Sequence, residues 1–219
     1  MLKASNIEKS YGQLPVLKGV DIWVKKGEMV AIVGASGAGK STLLHISGTL
    51  DKADKGEVFI DDTPVHSLSD QQLSAFRNAR IGFIFQFHNL LPEFTGLENV
   101  CMPGWIAGKP KQQVEARAIE LLTLLGVKDR AHHKPSELSG GEQQRMAVAR
   151  ALINEPAIVF ADEPSGNLDS HNADELHKLF HQLKTDLGQT FVIVTHNSSL
   201  AALADRTLEM KDGQILGGL

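Results

Sequence analysis

Cysteine is almost missing from this 219-residue sequence. The single Cys101 excludes an intramolecular disulfide and suits a reducing compartment, where it serves as a small semi-apolar residue. Long apolar runs are missing as well: none reaches the roughly 18 residues needed to cross a bilayer, and the longest, such as Met29 to Val33 and Ile81 to Phe85, are strand-sized. The opening residues, MLKASNIEKSYG, hold no apolar segment of a signal peptide. Neither sign of charge dominates. With 22 Lys and Arg against 26 Asp and Glu, the net charge of -4 supplies no general basic field for nucleic acid or anionic lipid. Internal repeats, low-complexity tracts and heptad arrays are also lacking. What remains is 42% hydrophobic and 5% aromatic, enough for one good core or two small ones, and is expected to reside in the cytoplasm.

Four short apolar runs, Met29 to Gly34, Ile81 to Gln86, Ala157 to Asp162 and Phe191 to His196, are continuous rather than alternating, as parallel strands covered on both faces require. They predict a central parallel sheet. Val20, Ile22 and Val24 alternate with Asp21, Trp23 and Lys25, and Val58 with Ile60 repeats the pattern, which predicts an antiparallel side sheet. Lys211-Asp212-Gly213 between two apolar pairs reads as a closing hairpin. From Gln86 to Pro156 the periodicity turns helical: Val114, Ala118, Leu121, Leu122 and Leu125 share a face and Gly126 stops it. A further helix runs from about Ser170 to Leu187, with Leu176, Leu179, Phe180, Leu183 and Leu187 on one stripe and Gly188 at its end. The expected class is α/β, one domain over residues 1–219. A core of 1–86 and 156–219 is interrupted by a helical subdomain, 87–155.

The stretch Gly34-Ala35-Ser36-Gly37-Ala38-Gly39-Lys40-Ser41 fits the phosphate-loop pattern G-x-x-x-x-G-K-[ST], with a strand before it and a helical run after it. Its glycines let the backbone wrap a polyphosphate, whose charge faces successive N–H groups and the positive end of the helix. Lys40 is placed to reach the β- and γ-phosphates and Ser41 to bind Mg2+; Thr42 completes the candidate nucleotide contacts. Ala157 to Asp162, followed by Glu163, supplies a buried strand that ends in two carboxylates at the ligand-binding edge of an open α/β sheet. Asp162 suits the Mg2+ shell, and Glu163 is placed to orient and deprotonate water. Together these predict a nucleotide triphosphatase.

Leu138-Ser139-Gly140-Gly141-Glu142 opens another helix. Ser139 with Glu142 forms a capping box, which alone accounts for that pair. Two glycines in a first helical turn nonetheless cost roughly 1 kcal/mol each against alanine. They suit a site where something must approach the backbone, making this N-terminus a second candidate phosphate receptor.

The run Leu138 to Glu142, with the phosphate loop before it and Asp162-Glu163 after it, resembles the ATP-binding cassette (ABC) family over essentially the whole chain. The resemblance implies a P-loop NTPase fold with a RecA-like core, with ATP and Mg2+ as cofactors. It also assigns positions: Tyr11 as the aromatic stacked on adenine, Gln86 as the glutamine touching Mg2+ and water, Ser165-Gly166-Asn167-Leu168-Asp169 as the loop crossing between subunits, and His196 as the histidine contacting the γ-phosphate. In this family the signature of one cassette completes the phosphate-loop site of another. A single copy of each motif therefore implies a homodimer or a pair of like subunits.

The stretch from Phe85 to Val100 resembles the lipoprotein-releasing subgroup of the family, and the run Pro164 to Asp169 fits the same branch, which is shared with macrolide-type efflux and cell-division ATPases. Gln143 and Gly96 are mild departures from that branch. The resemblance implies an ATPase at the cytoplasmic face of a bacterial inner membrane, held there by permease subunits that dock near residues 87–105. Phe87, Leu90, Leu91 and Phe94 suit such docking as well as they suit packing of a small helical subdomain. The soluble alternative, an ATPase acting on DNA or ribosomes, usually brings coiled coils or a second cassette; nucleic acid is not expected as a partner. His177 and His181 lack the glutamate of a helical zinc motif, His132-His133 reads as a solvated loop, and Asn197-Ser198-Ser199 is a glycosylation acceptor irrelevant to a cytoplasmic chain.

Overall fold

The structure is a computed structural model and describes residues 1–218; Leu219, the last residue of the expected core, lies outside them. Strands β1 (Leu2–Tyr11) and β2 (Leu14–Val24) form an antiparallel hairpin, and β3 (Met29–Val33) runs through the phosphate loop into helix α1 (Lys40–Ser47). Then come β4 (Lys55–Ile60), β5 (Thr63–Pro64), α2 (Asp70–Arg80) and β6 (Ile81–Phe85). Three helices follow, α3 (Gly96–Ile106), α4 (Lys111–Leu124) and α5 (Gly140–Leu152). The chain closes with β7 (Ile158–Asp162), α6 (Ser170–Leu187), β8 (Thr190–Val194), α7 (Ser198–Ala202), β9 (Arg206–Lys211) and β10 (Gln214–Gly218).

Two sheets result, a side sheet ordered β2-β1-β4-β5 and a central sheet ordered β10-β9-β3-β8-β7-β6. The four continuous apolar runs are the parallel strands β3, β8, β7 and β6, with β9 parallel beside β3. They are buried because helices cover one face while α1 and the side sheet cover the other. The Asp212-Gly213 turn, with φ of 49° and 82°, has both central residues left-handed, as a tight hairpin between β9 and β10 needs.

Helices α3 to α5 leave the sheet after β6 and return at β7, its neighbour in the sheet. Their apolar residues do not form a separate core. Val114, Leu121 and Met146 join Val159, Phe180 and Phe191 in one cluster under the sheet. Close packing of α5 on β6 explains Gly82, where a Cβ would stand 2.6 Å from the Ala151 carbonyl oxygen. In α6 the stripe holds for Leu176, Leu179, Phe180 and Leu183, but Leu187 is 52% exposed. It sits in the last turn beside Gly188, whose φ of 62° turns the chain away from the core before β8 begins. Among the described residues no helix is long and apolar enough to cross a membrane.

Candidate active site

The turn between β3 and α1 has glycine at each position that leaves ordinary backbone space: Gly34, Gly37 and Gly39 have φ of 148°, 78° and 101°. At Gly34 a Cβ would lie 2.1 Å from the Met210 carbonyl oxygen, so β9 presses directly on the loop. Gly39 caps α1 without a side chain, leaving the first-turn N–H groups to an anion. Lys40 folds back over this turn and donates to the carbonyls of Gly34 and Ala35, both at 2.9 Å. Its ammonium thus waits at the rim of the bowl. A cavity of about 600 Å³ opens here, lined by Gly37, Lys40, Ser41 and Thr42 on one side and by Gln86, Glu163 and His196 on the other.

The edge of the sheet supplies the carboxylates. Asp162 ends β7, and the Ser41 hydroxyl donates to its Oδ1 at 3.0 Å, while His45 Nε2 lies 3.6 Å from Oδ2. Burial raises the Asp162 carboxyl above its ordinary pKa, the Ser41 bond and His45 oppose this, and the neighbouring Glu163 adds to it. Two oxygens already 3.0 Å apart, one anionic, are the donor set a hard divalent cation takes.

Glu163 follows in a left-handed conformation, φ 45°, held by a bond from its N–H to the Val194 carbonyl. Its Oε2 accepts the His196 N–H at 3.2 Å and lies 2.8 Å from His196 Nδ1. Strain of this kind, of order 1 kcal/mol, persists where surrounding structure imposes it. Here the carboxylate meets His196 and lines the cavity.

Register places Gln86 beside this pair, because Phe85 lies opposite Asp162 in the β6–β7 ladder. Tyr11 stands at the far end of the cavity, half-exposed, its hydroxyl donating to Asp51 at 2.8 Å. That bond raises the phenol pKa, and the Lys9 ammonium lies 5.3 Å from the ring centre. Asp51 and Lys9 escaped the sequence reading, since nothing in their spacing links them to residue 11.

Ser139, Gly140, Gly141 and Glu142 are not part of this cavity. They form the first turn of α5, where the capping box is complete: Glu142 accepts the Ser139 N–H at 2.8 Å and hydroxyl at 2.9 Å, and Arg130 holds its other oxygen. The two glycines differ. A Cβ on Gly141 would come within 2.5 Å of Asn172 Oδ1 of α6, so the close approach anticipated at this position is made by the chain itself. Gly140 has only Leu168 nearby, at 3.7 Å, and is exposed.

A second cavity, about 430 Å³ and largely apolar, lies between α2, β6, α3 and α5, with Arg77, Phe85, Asn89, Pro103, Ile106 and Arg150 among its walls. Segment 87–105 lines only part of it. Phe87, Leu91 and Phe94 are exposed but stand outside this groove, and Leu90 packs on the core instead. Arg150 holds the turn that follows Gln86, donating to the carbonyls of His88 and Asn89, both left-handed. Of the histidines set aside, His177 is buried against the Ser165 hydroxyl at 3.1 Å and His181 is exposed, so the two do not face one point.

Residues 17–166 match the family described as ABC transporter. The chain belongs to that family. It is 59% identical over 216 residues to the lipoprotein-releasing system ATP-binding protein LolD of Bacteroides fragilis, covering 99% of this chain and 100% of the relative. It is 61% identical to the protein of the same name from Cytophaga hutchinsonii, covering 99% of each. Among solved structures it is similar to the dimeric ATP-binding cassette MJ0796 in a post-hydrolysis state bound to ADP and Pi. That match has a TM-score of 0.92 and 40% identity, and covers 100% of this chain and 98% of the other. The α/β ABC ATPase fold expected from the motifs is therefore established.

Proposed function

We propose that this chain is the ATP-hydrolysing subunit of a transporter that releases lipoproteins from a bacterial inner membrane toward the outer one. Full-length identity near 60% with lipoprotein-releasing ATP-binding proteins carries this reading. Phosphoryl transfer needs an anion cradle, a cation and a group that orients water, and the residues that line the cavity suit these tasks. On this reading the phosphate loop, Gly34 to Ser41 with Thr42, encloses the phosphates, and Tyr11 stacks on adenine. Asp51 fixes that ring through its hydroxyl and Lys9 lies over one of its faces.

Mg2+, when bound, neutralises charge that develops on the transferred phosphoryl group. Ser41, Asp162 and Gln86 would hold it. Lys40 exchanges its two carbonyl bonds for phosphate oxygens, a charge-assisted replacement that makes the loop tighten on its ligand. Glu163 has one oxygen engaged by His196, which leaves Oε1 to orient the attacking water and take its proton. His196, 72% exposed along its side chain, would meet the γ-phosphate.

Residues 1–86 and 156–219 then form the nucleotide-holding part and 87–155 the part that presents Ser139 to Glu142 to a second copy of the chain. The dimeric state of the solved cassette supports a homodimer, which on this reading encloses two ATP molecules. Permease subunits would dock in the groove between α2, β6 and α3 and would hold the chain at the cytoplasmic face of the membrane without inserting it. Proteoliposomes that hold the permease subunits and a fluorescent lipoprotein test the reading. Added chain with ATP and Mg2+ should release the lipoprotein to an acceptor, and Lys40→Ala should not. Equal release with Lys40→Ala, or export of a macrolide in place of the lipoprotein, would contradict it.

A further inference from the structure

The loop after Glu163 meets Gln86 through a reciprocal pair of amides. Gln86 Nε2 donates to Asn167 Oδ1 at 2.9 Å, and Asn167 Nδ2 donates to the main-chain carbonyl of Gln86 at 3.2 Å. A carboxamide presents two nearly isosteric ends of opposite polarity, and only its oxygen serves a cation or accepts from water. In this pair the polarity is decided by a group that cannot turn over. The Gln86 main-chain carbonyl can only accept, so it takes the NH2 end of Asn167 and directs Oδ1 toward the Gln86 side chain. That oxygen can only accept in turn, so it takes the NH2 end of Gln86. Gln86 Oε1 is left as the unengaged end, with no bond among the described residues, in a side chain that lines the cavity with Glu163 and Lys40.

Two further features fit the loop to this task. Gly166 leaves room for the amide: a Cβ there would lie 2.9 Å from Gln86 Nε2 and 3.1 Å from Cδ. The residues before it are anchored in the interior, the Pro164 carbonyl by Gln144 Nε2 at 2.6 Å and Ser165 by His177 at 3.1 Å. Asn167 is thus mounted on a fixed base although it is itself exposed. We propose that Asn167 is a positioning residue: it selects the orientation of the Gln86 carboxamide that presents Oε1 to the nucleotide site, with Gly166 keeping the space for it. The proposal rests on the reading of the cavity as an ATP site, and it adds a residue whose role is exerted through Gln86.

The test compares Gln86→Ala, Asn167→Ala, Asn167→Asp, Gly166→Ala and the double variant Gln86→Ala/Asn167→Ala. The first readout is independent of activity: the side-chain NH2 resonances of Gln86 in the nucleotide-free protein, identified by their loss in Gln86→Ala. Asn167→Ala and Gly166→Ala should shift them and raise their exchange with water about tenfold, the scale of one lost hydrogen bond. Asn167→Asp, which keeps the acceptor but loses the donor, should fall between. The second readout is the Mg2+ concentration that gives half-maximal ATPase. Asn167→Ala should raise it severalfold with nucleotide affinity in the absence of Mg2+ unchanged, and on the Gln86→Ala background it should add nothing. Unchanged Gln86 resonances in Asn167→Ala, or losses that multiply in the double variant, would overturn the proposal. ATPase unaffected by Gln86→Ala would instead overturn the placement of Gln86 at the reacting centre, and the positioning role with it, even where the resonances shift as expected.

Discussion

At the start of α1 the glycines answer to their own φ angles and to neighbouring strands of this chain, whereas at the start of α5 one of two glycines answers to nothing in this chain. Gly34 and Gly39 hold left-handed or glycine-only φ values and face Met210 and Leu17 too closely for any Cβ. The helix they open has no side-chain cap, so its first-turn N–H groups lack a side-chain partner. Helix α5 is closed by a complete capping box, its glycines are helical, and Gly141 is explained by Asn172. Gly140 remains, exposed and uncrowded, in a place where alanine would favour the helix by roughly 1 kcal/mol. The start of α1 is thus shaped entirely by this chain, whereas the start of α5 is complete as a helix cap and leaves Gly140 as an exposed, unused face.

Substitution to alanine at the three glycines breaks this comparison at graded strength. Gly34→Ala should cost about 3 kcal/mol or more, because it combines a backbone collision with a φ that only glycine adopts; chemical denaturation should show an unstable or unfolded protein. Gly141→Ala should cost about 1 to 2 kcal/mol, since the atom it meets is a side-chain end, and Asn172→Ala in the same chain should recover part of that loss. Gly140→Ala should leave the monomer as stable as the wild type or up to about 1 kcal/mol more so, while weakening ATP-dependent association measured by light scattering. Destabilisation by Gly140→Ala would show that the chain itself needs that glycine and would erase the difference between the two helix starts.

A smaller effect separates the carboxylates at the two helix starts. Glu142 is held below its ordinary pKa, first by the Ser139 N–H, with Arg130 helping against burial. Its folded value lies under its unfolded one, so its contribution is present at neutral pH and fades as pH falls through the folded value. Asp162 has the opposite sign. Burial raises its folded value, so the native state gains relative stability as pH falls through that value and is strained by the charge above it. In metal-free buffer at neutral pH, Asp162→Asn should therefore raise Tm while abolishing ATPase, and Glu142→Gln should lower Tm. The Asp162 difference should shrink as pH falls through its raised folded value, and the Glu142 difference only at lower pH, through its depressed one. A Tm lowered by Asp162→Asn would mean that its ionised form is structural.

The central strands were legible in the sequence because burial on both faces leaves an unbroken apolar run, and β3, β6, β7 and β8 have one. Strand β9, Arg206–Lys211, sits in the same sheet but mixes polar residues in, so only its hairpin with β10 could be read. Helix α2 was missed because it buries none of its residues; its signal is the capping box of Ser69 with Gln72. The phosphate loop, Asp162 and Glu163 were visible because their chemistry demands fixed spacing on contiguous chain. The bonds that orient them were not. Asn167 meets Gln86 across 81 positions, Tyr11 meets Asp51 across 40, and no local pattern encodes either. The same limit made Gly140 and Gly141 look alike until α6 was seen against one of them.

The claim that the open face of α5 completes the nucleotide site of a second copy is tested most directly by sedimentation of Glu163→Gln, which should bind ATP without turning it over. With ATP and Mg2+ its sedimenting mass should double. Adding Gly140→Asp, a charge opposed to phosphate at the exposed glycine, should return it to the monomer with nucleotide still bound. A monomer with ATP bound in Glu163→Gln itself, or equal dimerisation with and without Gly140→Asp, would contradict the account.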